Sequence, residues 1–135
     1  VKFIIEADGG SRGNPGPAAY GCLIKDFETG KVLFEEGKYL GITTNNVAEY
    51  SGLVAALVEA NKLNPLAEIE VRMDSKLAVE QMSGNWKIKH ENMKDLAIKA
   101  RNAFSPELVT YVWVPREQNK HADKLLNIAL DLEIN

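Results

Sequence analysis

The segment Val1-Lys-Phe-Ile-Ile-Glu-Ala-Asp8-Gly-Gly-Ser-Arg-Gly-Asn14-Pro-Gly-Pro17 governs how the rest of the chain is read. Phe3, Ile5 and Ala7 alternate with Lys2, Ile4, Glu6 and Asp8, the period-two pattern of a strand with at least one buried face. Glu6 and Asp8 therefore point the same way. The strand is expected to stop at Asp8, where the glycines begin. Glycine lets the backbone beyond it take left-handed conformations and lie close to a ligand with no Cβ between. On this segment alone the simpler reading, a strand whose Asp-Gly turn opens a hairpin, is favoured. A nucleotide cradle is not: the loop has neither the Gly-Lys-Ser/Thr of a P-loop nor the helix-opening G-x-G-x-x-G of a dinucleotide fold.

The segment belongs to a chain of 135 residues, room for one domain over 1–135 that buries about two-thirds of its unfolded surface without staples. Its single cysteine, Cys22, excludes an intrachain disulfide and sits in an apolar strand pattern as a buried thiol. No apolar run reaches the about 18 residues of a membrane span, and the amino terminus carries no basic-then-apolar leader. A cytoplasmic monomer with no membrane partner is expected. The chain opens on Val1 rather than Met, which fits one domain cut from a longer protein. A net charge of −3 argues, by itself, against a nucleic-acid partner, since phosphate binders carry a basic face. Bound divalent cations would remove that objection, because two of them outweigh the deficit.

Working outward, Ala19 to Lys25 and Lys31 to Leu40 read as two further strands, separated by a turn that closes at Gly30. The three strands form an antiparallel meander. Thr43 to Asn46 then supply cap chemistry for a helix from Val47 to about Leu63, whose Val47, Tyr50, Val54 and Leu57 recur at three-four spacing until Asn64-Pro65 stops it. Glu68 to Met73 is a fourth strand, Lys76 to Met82 a short helix and Asn92 to Phe104 another. Leu108 to Val114 is a fifth strand, Pro115 to Asn119 a loop, and Ala122 to Leu130 mark a last amphipathic helix. Strands alternating with helices in this second half imply parallel crossovers. The fold class is α/β: a five-stranded mixed sheet, three strands antiparallel and two parallel, flanked by helices.

Four carboxylates fall at element ends or first turns. Each has a plain structural explanation: Glu49 follows Asn46 by three residues as in a capping box, Asp74 could cap the helix after it, and Asp123 could complement a helix dipole. Together they read differently. If the first strand lies beside the fourth, Asp8 and Asp74 sit on adjacent strands, and two helix starts can deliver Glu49 and Asp123. Such a cluster repels itself unless it is protonated or holds cations. Oxygen-only ligation favours Mg²⁺ or Mn²⁺ over zinc, and a pair of such ions about 4 Å apart suits in-line phosphoryl displacement.

Along nearly its whole length the sequence resembles the type-one ribonuclease H family. The motifs are Asp8-Gly-Gly-Ser-Arg-Gly-Asn14-Pro-Gly-Pro, Thr44-Asn45-Asn46-Val-Ala-Glu49-Tyr50, Asp74-Ser75 and Asn119-Lys-His-Ala-Asp123, in family order. The resemblance implies a ribonuclease H-like sheet and metal-dependent endonucleolytic hydrolysis of RNA paired to DNA, giving 3′-hydroxyl and 5′-phosphate ends. It makes Asp8, Glu49, Asp74 and Asp123 the catalytic ligands of two Mg²⁺ or Mn²⁺ ions. It sets Asn14, Asn45 and Asn46 along the minor groove of the hybrid, where polar side chains can reach 2′-hydroxyls. Thr44 and Asn92 are similar to the family's pocket for a DNA-strand phosphate.

Two departures stand out. The stretch Ser83 to Glu91 is too short for the basic handle of many relatives, leaving Lys87, Lys89, Lys94 and Lys99 as a smaller basic surface. The loop at Val114 to Gln118 lacks the family's histidine, so Arg116 or Glu117 is expected to assist turnover instead. His121 is two residues from Asp123, about 200° away around a helix, and is expected to point elsewhere. The rival readings are a non-catalytic hybrid-binding module and a DNA-cutting or DNA-joining enzyme of the same broad fold. Intact carboxylates oppose the first and the asparagines the second.

Overall fold

The computed structural model describes residues 1–134. Five strands form one sheet: β1 (Lys2–Ser11), β2 (Gly16–Asp26), β3 (Val32–Thr43), β4 (Glu68–Met73) and β5 (Val109–Trp113), in the order β3-β2-β1-β4-β5. The first three are antiparallel neighbours, and β4 runs parallel to both β1 and β5. Four α-helices complete the chain: α1 (Asn45–Leu63), α2 (Lys76–Met82), α3 (Glu91–Ala103) and α4 (Lys120–Ile134). Single turns of 3₁₀ helix lie at Pro106–Leu108, taking Leu108 from the expected fifth strand, and at Arg116–Gln118 within the expected loop.

The first strand does not stop at Asp8. Gly9, Gly10 and Ser11 continue the ladder opposite Tyr20, Ala19 and Ala18, and within this segment only Gly13 takes a positive φ, 93°. The glycines serve packing rather than turning. A Cβ at Gly9 would collide with the Ala48 carbonyl carbon and the Glu49 nitrogen, so bare backbone here lets α1 lie directly on β1. The third strand likewise runs on past Leu40 to Thr43, and α1 starts two residues before Val47 because Thr44 caps it, its Oγ1 accepting from Val47 N–H at 3.2 Å.

The sheet has two unequal covers. On one face Phe3, Ile5 and Ala7 pack with Tyr50, Leu53 and Leu57 of α1, and with Met93, Ala97 and Phe104 around α3. On the other, α4 brings Leu126, Ala129 and Leu130 against Ala19 of β2. Glycine again sets the distance, since a Cβ at Gly21 would meet the Ala122 carbonyl. Every buried aliphatic side chain contributes roughly 1.5–3 kcal/mol of transfer free energy, so the larger core on the α1 face dominates stability. Cys22 is a buried free thiol of that core. No helix among the described residues is long and apolar enough to cross a membrane.

Candidate active site

The parallel ladder of β1 and β4 pairs Glu6 with Arg72. Continuing that register by two residues sets Asp8 opposite Asp74, where β4 ends. Glu49 reaches the same point because Gly9 allows the first turns of α1 to press on β1. One oxygen from each of Asp8, Glu49 and Asp74 lies within 4.8 Å of the others. Asp123, on the first turn of α4, lines the same cleft of about 420 Å³ outside that tight group of three. Glu6, on the same face of β1 as Asp8, pairs with Lys25 of β2 at 2.7 Å and does not line the cleft.

The structure removes two of the plain explanations for these carboxylates. Thr44 caps α1, which puts Glu49 in the fifth helical position, beyond the third position a capping box requires. Ser75, not Asp74, caps α2, its Oγ accepting from Ala78 N–H at 3.2 Å. Asp123 keeps its place in a first helical turn and accepts from Asn127 Nδ2 at 3.3 Å.

Electrostatically the cluster is strained toward protonation. Burial, then the charge of Asp74, pushes Asp8 up to about 7, against a hydrogen bond from Glu49 and one from Gly9 N–H at 2.9 Å. Burial and the neighbouring Asp8 push Glu49 well above the usual carboxylate range. Glu49 Oε2 is buried without a hydrogen-bond partner. Three hard oxygen donors, mutual repulsion and an orphaned acceptor fit a divalent cation better than a proton.

Asn119 is the residue whose part the sequence did not reveal. Fully buried ahead of α4, it donates from Nδ2 to the Ala7 carbonyl at 2.9 Å and to Asp74 Oδ1 at 3.1 Å. The available signal was its place at the head of the Asn119-Lys-His-Ala-Asp123 motif, which assigned it no role of its own. Arg116 Nε lies 3.7 Å from Asp74 Oδ2 with the side chain 86% exposed, and it lines the cleft. Glu117 is exposed on the same 3₁₀ turn and does not line the cleft.

The predicted substrate-binding asparagines form a connected rim. Asn14 Oδ1 accepts from Asn45 N–H at 3.1 Å, and Asn45 Oδ1 accepts from the Ser11 N–H at 2.7 Å and hydroxyl at 3.0 Å. Each spends its carbonyl oxygen inside the protein, which leaves its amide nitrogen as the donor for a ligand. Asn46 lines both the cleft and a neighbouring cavity of about 520 Å³ with Lys87, Lys89 and His90. Asn92 is exposed on α3 and lines neither. The connection from α2 to α3 is eight residues without a helix, so no handle projects from it. His121 turns away to Glu35 of β3, 2.7 Å distant.

Comparison with known proteins agrees with this geometry. A family model described as reverse transcriptase-like matches residues 6–129. The bifunctional protein Rv2228c of Mycobacterium tuberculosis is 51% identical over 132 residues, covering 97% of this chain and 36% of that protein, so the chain spans little more than a third of such a relative. The solved N-terminal RNase H domain of that protein, fused to maltose-binding protein, superposes with a TM-score of 0.92 at 52% identity, covering 97% of this chain and all of that one. LC11-RNase H1, solved with an RNA/DNA hybrid, gives 0.92 at 43% identity over 99% of this chain and 100% of that one. With its mixed sheet, its converging carboxylates and these relatives, the chain belongs to the type-one ribonuclease H family.

Proposed function

We propose that this domain is an endoribonuclease that hydrolyses the RNA strand of RNA/DNA hybrids, leaving 3′-hydroxyl and 5′-phosphate ends. The observation that carries the reading is the convergence of Asp8, Glu49 and Asp74, one oxygen each within 4.8 Å of the others, at the floor of an open cleft. Their oxygen-only chemistry fits Mg²⁺ or Mn²⁺. Asp8, Glu49, Asp74 and Asp123 would together hold two such cations, which when bound would supply a nucleophile at neutral pH and stabilise the departing oxygen of an in-line displacement.

The chain's own residues set the stage. Asn119 holds Asp74 in one orientation against β1. The rim of Asn14, Asn45 and Asn46 offers amide donors to the minor groove, where 2′-hydroxyls mark the RNA strand. Thr44, with its hydroxyl hydrogen still free to donate, and Asn92 approach a phosphate of the DNA strand. Arg116, beside Asp74, assists turnover, with Glu117 next to it in the chain.

Labelled RNA/DNA, RNA/RNA and DNA/DNA duplexes incubated with and without Mg²⁺ test the reading. Cleavage confined to the RNA strand of the hybrid, and only with the cation, is the expected result. Cutting of DNA/DNA would favour the DNA-processing alternative, and hybrid binding without cleavage would favour a binding module.

A further inference from the structure

Beside the carboxylates, on the side away from the asparagine rim, stand Trp113 and Lys76, to which the chemistry above gives no task, together with Arg116. Trp113 ends β5 and is 46% exposed, unusual for a side chain whose burial is so favourable. It is not loose. Its Nε1–H donates to the Asp74 backbone carbonyl at 3.2 Å, so the indole is tied to the residue that carries a catalytic carboxylate. Lys76, on the first turn of α2, places its Nζ 5.8 Å from the ring centroid. Arg116 flanks Asp74 from the following 3₁₀ turn. An aromatic surface anchored by its polar edge to Asp74, with Lys76 beside the ring and Arg116 on the Asp74 carboxylate, is the composition of a single-strand platform, where rings meet bases or sugars and cations meet phosphates.

The cluster compensates for something missing. The chain carries no basic handle, its net charge is −3, and the basic residues Lys87 and Lys89 lie in the other cavity, against Asn46.

We propose that Trp113, with Lys76 and Arg116, forms a platform that grips the RNA strand next to the scissile phosphate, the indole against a nucleotide and the two cations on its phosphates. The proposal rests on the ribonuclease reading above and adds a positioning surface to it. Because the indole is fixed to Asp74, a nucleotide seated on Trp113 is registered against the carboxylates.

The chain has two tryptophans, so Trp86→Phe leaves Trp113 as the sole indole reporter. That variant is titrated in Ca²⁺ with fluorescein-labelled RNA/DNA hybrid, reading label anisotropy and indole emission together. Saturable quenching of Trp113 that tracks the anisotropy is expected. On the otherwise unchanged chain, Trp113→Leu should weaken hybrid binding about tenfold while Trp113→Phe, which keeps the ring and loses the N–H, stays within about threefold. Lys76→Gln should lower the salt slope by about one phosphate contact, and Lys76→Arg should restore it. Anisotropy that saturates with unchanged indole emission, or equal losses for Leu and Phe, would overturn the platform and leave the ribonuclease reading standing. No anisotropy change together with no cleavage of hybrid would overturn that reading, and the platform with it.

Discussion

The amide of Asn119 donates to the carboxylate of Asp74 at 3.1 Å while also holding the Ala7 carbonyl at 2.9 Å, so a residue outside the carboxylate cluster ties β4's end to β1. Both neighbours only accept hydrogen bonds, which fixes the amide in one orientation. Asn119→Ala should lower kcat by about tenfold, about 1.4 kcal/mol of barrier, and lower Tm measurably. Asn119→Asp should be worse in both respects, because it sets a third acceptor against two others. Kinetics and thermal melts compare the pair, and an Asp variant that matches wild type would remove Asn119 from its positioning role.

Asp74 itself is released from a capping role by Ser75. Asp74→Asn is therefore expected to keep the melting temperature near wild type and to lower turnover by roughly a hundredfold or more, about 2.7 kcal/mol of transition-state stabilisation. Ser75→Ala should do the reverse, costing roughly 1 kcal/mol of stability with turnover largely kept. Near-wild-type cleavage by Asp74→Asn would return that residue to a structural part.

Metal and pH act on the same cluster. The folded chain holds the Asp8 proton up to about pH 7, above its ordinary value of 3.8, so its contribution to stability is full below about pH 4 and is lost as pH rises through about 7. Glu49 adds in the same direction. In chelator, Tm should fall over that window more for wild type than for Asp8→Asn. Saturating Mg²⁺ should raise the wild-type Tm above pH 7, and Ca²⁺ should do so while supporting little turnover. A metal-independent Tm, or undiminished cleavage after chelation and dialysis, would rule out a cation site.

Without a handle, grip on the hybrid should involve few phosphates. The plot of log affinity against log salt should have a slope of only a few contacts, at about 0.9 per phosphate on a B-form-like duplex. Anisotropy across a salt series measures it, and a steep slope with tight binding at physiological salt would point to a larger basic surface.

Turnover assistance is assigned to Arg116 rather than His121. His121 is occupied with Glu35 of β3, whereas Arg116 stands 3.7 Å from Asp74. Followed from pH 6 to 9 with hybrid in excess, Arg116→Ala should slow turnover by about tenfold and His121→Ala by less than twofold, with Glu117→Ala between them. A tenfold loss for His121→Ala alone, about 1.4 kcal/mol of barrier, would reverse the assignment.

Much of this was legible where the information is local. Alternation from Val1 to Asp8 and the three-four spacing of Val47, Tyr50, Val54 and Leu57 announce a strand and a helix by themselves, and the acidic residues at element ends mark the site. What escaped is long-range. Gly9 reads as the start of a turn because only Ala48, thirty-nine residues later, explains why it lacks a side chain within a strand. Asn119 reads as the end of a loop because its partners stand 112 and 45 residues away. The start of α1 moved from Val47 to Asn45 because Thr44 outcompeted its neighbours as the cap, and Ser75 took the capping role offered to Asp74 while α2 kept its expected range, choices that geometry decides and composition does not.

The bare backbone at Gly9 acts as a ruler. Because α1 rests on β1 main chain to main chain, the spacing between Asp8 and Glu49 is set by two atoms' radii and not by a side chain that could rotate or be exchanged for a longer one. Two carboxylates are thus kept at working distance by a position that has no functional group at all. A side chain at this position would push the two acids apart by striking the α1 backbone at Ala48 and Glu49.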